Sequence, residues 1–216
     1  MRPVTVTVGP LATASANAIC LSQTPAAGAL TLNGALVTSG AAVMDQPRRV
    51  LITATGNESA KTFTITGTNW SGQAWGETIT GPNATTAQSV LDYATVTSIT
   101  ISAAAANALT VGTSGVASSP WVRLDHWSQP ETSIQATVTG TVNYTVQQTL
   151  QDPNSSTNPV TPSLITWVNS SDVNMVGATA TAQSNYAFAP TFTRITLNSG
   201  TGSVSGVFAQ SGIVAF

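Results

Sequence analysis

Any chemistry in this chain must start from few side chains: one histidine, one cysteine, eight carboxylates and six lysines and arginines among 216 residues. His126 follows Asp125, and many serines could complete a nucleophilic set. A triad is a spatial arrangement, however, and adjacent strand residues point to opposite faces. An exposed strand histidine near Trp127 is the simpler reading. Cys20 stands far from His126 in sequence, so the usual zinc ligand spacing is missing, and a lone cysteine forms no internal disulfide.

A calcium loop needs several oxygen ligands at short spacing. Asp152, Asn154 and Ser155 come closest with a single carboxylate, and an Asp-Pro turn accounts for the same residues. Glu58, Glu77, Asp92 or Glu131 could pair across strands as a glycosidase requires. Eight acids in a chain this long always allow some pair, and exposed carboxylates balancing Arg48, Arg49, Lys61 and Arg123 are the plainer account. No glycine-rich phosphate loop is present. The expectation is a non-enzymatic protein with no metal and no cofactor. Aromatic residues leave one binding possibility open: Trp70 and Trp75 lie in a Gly/Ser-rich connection, where they could stack on glycans or fill an interface. Trp121, Trp127 and Trp167 read as core or interface residues.

The elements that must position these groups are strands. Charged residues are 6% of the chain against about 25% in ordinary soluble domains, while hydrophobic residues hold a usual 42%. Threonine fills roughly one position in six, and a β-branched hydroxyl suits the solvent face of a pleated sheet better than a helix. Apolar residues alternating with threonine argue against disorder. A formal net charge of −2 gives little mutual repulsion, which favours association. Six basic residues cannot build a phosphate-binding surface, so nucleic acid is excluded as a partner, and no stretch is long and apolar enough to span a membrane. The beginning Met-Arg-Pro-Val-Thr-Val-Thr-Val reads as a strand rather than a signal peptide, which leads to an expectation of cytoplasmic synthesis.

Turn signals about every ten residues predict an all-β protein of two small antiparallel sandwich or barrel-like domains with little helix. The first domain, 1–117, comprises an N-terminal arm rich in small residues and a β-domain; the second is 118–216, with the junction at the Gly/Ser/Pro stretch 115–120. Residues 49–55 and 61–66 read as a hairpin with Phe63 and Ile65 on one face, and 84–93 and 103–107 as the only helix candidates. Ile134, Ala136, Val138, Val142, Tyr144 and Val146 share even positions in a long segment with Gly140 at its middle, where a hairpin turn, a bulge or a bend between sheets would fit.

The segment Ala54-Thr-Gly-Asn-Glu-Ser-Ala-Lys-Thr-Phe-Thr-Ile-Thr-Gly-Thr-Asn69, with Glu77-Thr-Ile-Thr-Gly-Pro-Asn83, Val96-Thr-Ser-Ile-Thr-Ile-Ser102 and Val111-Gly-Thr-Ser-Gly115, resembles a recurrent type of structural protein of tailed bacteriophages. Gly140-Thr-Val-Asn-Tyr-Thr-Val-Gln-Gln-Thr149 with Asp152-Pro153 and Trp167 is similar to the C-terminal part of such proteins. The resemblance covers about three-quarters of the chain and carries no catalytic residue. It implies a virion component made in the host bacterial cytoplasm and assembled in multiple copies. The simplest position is the capsid exterior, as a decoration or cement protein. A tail or head-to-tail position, or a glycan-binding adhesin module contacting the host surface, are the alternatives. Its implied partners are itself, as dimer or trimer, and the major capsid protein or other virion proteins.

Overall fold

The computed structural model describes residues 3–124 and 132–210. In chain order the strands are β1 (Val4–Val8), β2 (Cys20–Gln23), β3 (Gly28–Ala29), β4 (Val37–Thr38), β5 (Ala41–Ala54), β6 (Thr62–Thr68), β7 (Ala74–Thr80), β8 (Thr86–Ile101) and β9 (Leu109–Ser118). They continue with β10 (Val122–Arg123), β11 (Thr132–Thr139), β12 (Val142–Thr149), β13 (Val168–Asn169), β14 (Ala182–Tyr186), β15 (Phe192–Gly200) and β16 (Ser203–Gln210). Two three-residue 3₁₀ turns, Pro162–Leu164 and Val173–Met175, are the helical elements among the described residues. The protein is therefore all-β, in a sandwich-like arrangement whose sheets are not closed into a barrel.

Two compact units divide the chain: Ala12–Ala117, and Met1–Leu11 together with Ser118–Phe216. The first unit is thus inserted between β1 and the rest of the second. Where the sequence reading groups residues 1–11 with 12–117, β1 instead pairs antiparallel with β16, Val4 opposite Phe208 and Val8 opposite Val204. The reason is its alternation: Val8 is buried while Thr5 and Thr7 are exposed, a pattern only a sheet edge over a core satisfies.

In the inserted unit the strand order is β9-β5-β8-β6-β7, with β2 on β9, β3 on β8 and β4 on β5. The expected hairpin of 49–55 with 61–66 does not form, because β8 lies between β5 and β6. β8 also replaces the helix expected at 84–93, and 103–107 is a loop. A run of small residues permits a helix locally, but β8 pairs with β5 over residues 86–96 and with β6 over 95–101, and this long-range pairing overrides local propensity. Register shifts bend β8 as it changes partners, so Tyr93 reaches across the core and donates to the Ile65 carbonyl at 3.3 Å. Phe63, Ile65, Ile99 and Ile101 are buried together, each contributing roughly 1.5–3 kcal/mol over its exposed state. The small-residue segment after Leu11 is an arm on its own sheet: the Thr113 amide donates to the Ser15 carbonyl, and the Ser15 amide donates to the Thr113 hydroxyl.

The second unit has one sheet ordered β1-β16-β11-β14 and a further set ordered β13-β12-β15, with β10 on β15. β11 pairs with β16 and β12 with β15, so Gly140 is the bend between sheets and not a hairpin turn. Its φ of +79° is left-handed, a conformation open to glycine. The return strand folds over at the same level, where the amides of Thr201 and Gly202 both donate to the Thr141 carbonyl. A continuous two-stranded ribbon is thereby folded back on itself, and its even-numbered side chains Ile134, Ala136, Tyr144 and Val146 line the interior.

Candidate functional site

Four of the seven charged side chains of the inserted unit, Asp45, Arg48, Glu58 and Glu77, are bonded to its own backbone. Arg48 is 1% exposed; its guanidinium donates to the carbonyls of Ser114 and Ala12 and to Asp45 Oδ1 at 3.0 Å, while Asp45 Oδ2 accepts from the Ala12 amide at 2.7 Å. Burial pushes the Asp45 carboxyl up, but the Ala12 and Arg48 bonds outweigh it and hold the group below its ordinary value. Glu58, also 1% exposed, accepts from the Ala106 and Asn107 amides and from Asn107 Nδ2, and pairs with Lys61. Glu77 accepts from the Val90 and Leu91 amides at 2.8 and 3.0 Å where β8 bulges, and burial raises its pKa. Asp92 lies 3.7 Å from Arg49. Asp45, Glu58 and Glu77 therefore close loops and a bulge. Among the described residues no group of three or more His, Cys, Asp or Glu side chains is placed to hold a metal.

Some of the hydroxyls on the sheet faces pair with one another across strands. Thr64 and Thr78 share a hydrogen bond across β6 and β7 at 2.9 Å, and Thr68 and Thr95 share one at 2.7 Å. Where hydroxyls pair in this way, removing them from water costs less than burying unpaired ones.

The two candidate aromatics part company. Trp75 is 5% exposed, on an inward position of β7 opposite Gly67, which leaves room for the indole, so its ring faces are closed to a glycan. Trp70, in the β6–β7 turn, is 41% exposed. The candidates Asp125, His126, Trp127 and Glu131 lie outside the described residues. Asp152 accepts from Asn154 N at 2.8 Å and from Arg123 at 3.1 Å, the bonding of a turn-forming aspartate paired with a cation.

A second constellation gathers on β10, β12, β13 and β15. Val122–Arg123 pairs with β15, placing Arg123 opposite Phe192; Phe192 is opposite Thr149; and Gln148 is opposite Val168. One face of this sheet thus brings together Arg123, Thr149, Phe192 and Arg194, with Trp167 over Arg194, while Val168 shares the opposite face with Gln148. Trp121 packs edge-on against Trp167, centroids 5.1 Å apart, and against Phe192 at 5.7 Å. The Arg194 guanidinium lies 4.3 Å from the Trp167 ring and is fixed from behind by Gln147 Oε1, which accepts from Nε at 3.0 Å and Nη2 at 2.8 Å. Arg123, 54% exposed, lies over the Phe192 ring and pairs with Asp152. Leu150, Leu164, Val168 and Val173 are four of the nine large apolar side chains left exposed among the described residues, all between β12 and β14 in the chain. Trp121 and Trp167 stand 46 positions apart in the chain, a spacing that carries no local signal that they touch.

No family, no curated protein and no solved structure matches this chain.

Proposed function

We propose that this chain is a non-enzymatic structural protein of a tailed-bacteriophage virion, decorating and stabilising the capsid exterior through contacts between its own copies and with the capsid. The observation that carries the reading is how its polar groups are used. Arg48, Asp45, Glu58 and Glu77 bond to the protein's own backbone, and two threonine pairs, Thr64–Thr78 and Thr68–Thr95, bond across strands. What is left to meet a partner is hydroxyl, methyl and scattered exposed apolar residues, the chemistry of an uncharged assembling surface. The phage-like strand and turn segments supply the virion context.

Cryo-electron microscopy of the intact particle tests this directly, together with heating of particles made with and without the protein. Density on the capsid surface and earlier rupture of particles lacking the protein are the expected results. Finding the chain only at a distal fibre tip refutes the decoration role, and finding it only at the tail or the head-to-tail junction selects the alternative virion position. The exposed Trp70 favours a second reading, a glycan-binding adhesin module. In that case Trp70→Ala abolishes binding to host polysaccharide while particles stay intact.

A further inference from the structure

We infer that the second unit encloses an internal water site, formed by the Thr132 hydroxyl, the Gln148 side-chain carbonyl and the Tyr186 phenol at the end of the folded ribbon away from Gly140. Position along the chain places the first two. Thr132 and Gln148 each stand eight residues from Gly140, so folding the ribbon at that glycine brings them to one level on the two facing sheets. Both continue the inward, even-numbered run of Ile134, Ala136, Tyr144 and Val146, and both are buried, at 1% and 9% exposure. Thr132 lies directly opposite Tyr186 in the β11–β14 pairing, and Gln148 directly opposite Thr193 in the β12–β15 pairing. Opposite residues of an antiparallel pair share a face, with Cβ atoms about 4.5–5.5 Å apart. The hydroxyls of Tyr186 and Thr193 meet at 3.1 Å and join the two sheets. A polar layer, Thr132–Tyr186–Thr193–Gln148, thus crosses an interior otherwise lined by Ile134, Val146, Ile195 and Phe208.

The direction of the bonds fixes what this layer takes. Thr193 Oγ1 donates to the Gln147 carbonyl at 3.0 Å, so Tyr186 is the donor in the bond the two hydroxyls share, and its oxygen keeps a lone pair. Burial pushes the Tyr186 hydroxyl up to about 12, which keeps its proton in place at neutral pH. Thr132 Oγ1 and Gln148 Oε1 are shut off from solvent and meet no hydrogen-bond partner among the described residues. A buried polar atom left in that condition is costly, and buried polar groups as a rule find protein or ordered water. Gln148 Oε1 can only accept, whereas Thr132 can donate. One water serves all three groups: it accepts from Thr132 and donates to Gln148 and to Tyr186, the usual three bonds of a buried water. A charged occupant would be buried at this level without a counter-charge, since the layer holds hydroxyls and an amide alone. The layer also marks register, because a one-residue slip of β11 or β12 turns Thr132 or Gln148 to the opposite face.

The sign of a stability change tests the site. Full-length wild type, Thr132→Val, Gln148→Met and the double variant are unfolded in urea, with near-ultraviolet circular dichroism confirming native packing at the start. Valine keeps the shape of threonine and removes only its hydroxyl. With a water to serve, each single variant lowers the folding equilibrium constant about tenfold. The double variant loses less than the product of the two, because both changes remove bonds to the same water. A high-resolution crystal structure of the wild type supplies a reading that needs no variant to fold: one ordered water within about 3.2 Å of Thr132 Oγ1, Gln148 Oε1 and Tyr186 Oη is expected. Thr132→Val as stable as wild type or more so, effects of the two changes that simply multiply, or no solvent density among the three atoms overturns the site.

Discussion

Replacing Glu58 with alanine probes the principle that this chain spends its charges on loop closure. The carboxylate is 1% exposed and joins segments 48 and 49 positions apart, accepting from Ala106 N at 3.0 Å, Asn107 N at 2.7 Å and Asn107 Nδ2 at 2.9 Å, with Lys61 on its other oxygen. Alanine leaves two backbone amides, a side-chain amide and an ammonium that is 15% exposed without their acceptor. Breaking a buried pair in this way costs about 3–5 kcal/mol. In a unit of about 100 residues each kcal/mol shifts the melting temperature by about 4–8 °C, so a fall on the order of 20 °C is expected for the inserted unit. Glu58→Gln keeps an oxygen for the amides but loses the charge facing Lys61 and turns an amide N–H toward its ammonium, for a cost below that of alanine, on the order of 2 kcal/mol.

Acid titration supplies the second arm. Burial pushes the Glu58 carboxyl up, but its bonds to Lys61 and Asn107 outweigh this and hold it below the usual carboxylate range. A depressed folded-state pKa contributes stability that is complete above the unfolded value of about 4.3 and is lost as pH falls through the folded value. The advantage of wild type over Glu58→Gln is therefore constant near neutrality and shrinks below about pH 4. Urea unfolding followed by circular dichroism, with hydrogen exchange at the Ala106 and Asn107 amides, measures both arms. An alanine variant within about 1 kcal/mol of wild type, with unchanged exchange at those amides, refutes the reasoning.

Three further outcomes follow from the packing. Gly112→Ala places a methyl group 1.7 Å from the Ser15 carbonyl oxygen, a backbone atom, so it should displace the segment after Leu11 and cost about 1–3 kcal/mol, seen as faster exchange at the Thr113 amide. Trp75→Ala should cost about 3–5 kcal/mol in chemical unfolding, whereas Trp70→Ala should stay within about 0.5 kcal/mol; equal effects would contradict their assigned places. Cys20 is fully buried and burial pushes its thiol up to about 12, so it should resist a thiol reagent at pH 8 in the native protein and react promptly once unfolded in urea.

Much of the fold is legible in the chain because a half-buried strand writes its own period. Phe63 and Ile65, Ile99 and Ile101, and Ile134 through Val146 alternate with polar residues, and the alternation alone assigns strand and inward face. Strand pairing is not local, and there the sequence falls silent. The run 84–93 permits a helix in isolation and becomes strand because β5 offers it a ladder; 49–55 and 61–66 resemble a hairpin until β8 comes between them. Gly140 signals a break without saying which kind, since a turn, a bulge and a bend between sheets all ask for the same glycine, and only the partners of β11 and β12 distinguish them. The sparse charge and abundant threonine determined by themselves that this surface would be hydroxyl and amide. That its few charges close loops, that Trp75 is sealed while Trp70 is open, and that Trp121 meets Trp167 beside Arg123 and Asp152 were decided by tertiary contacts between residues far apart in the chain.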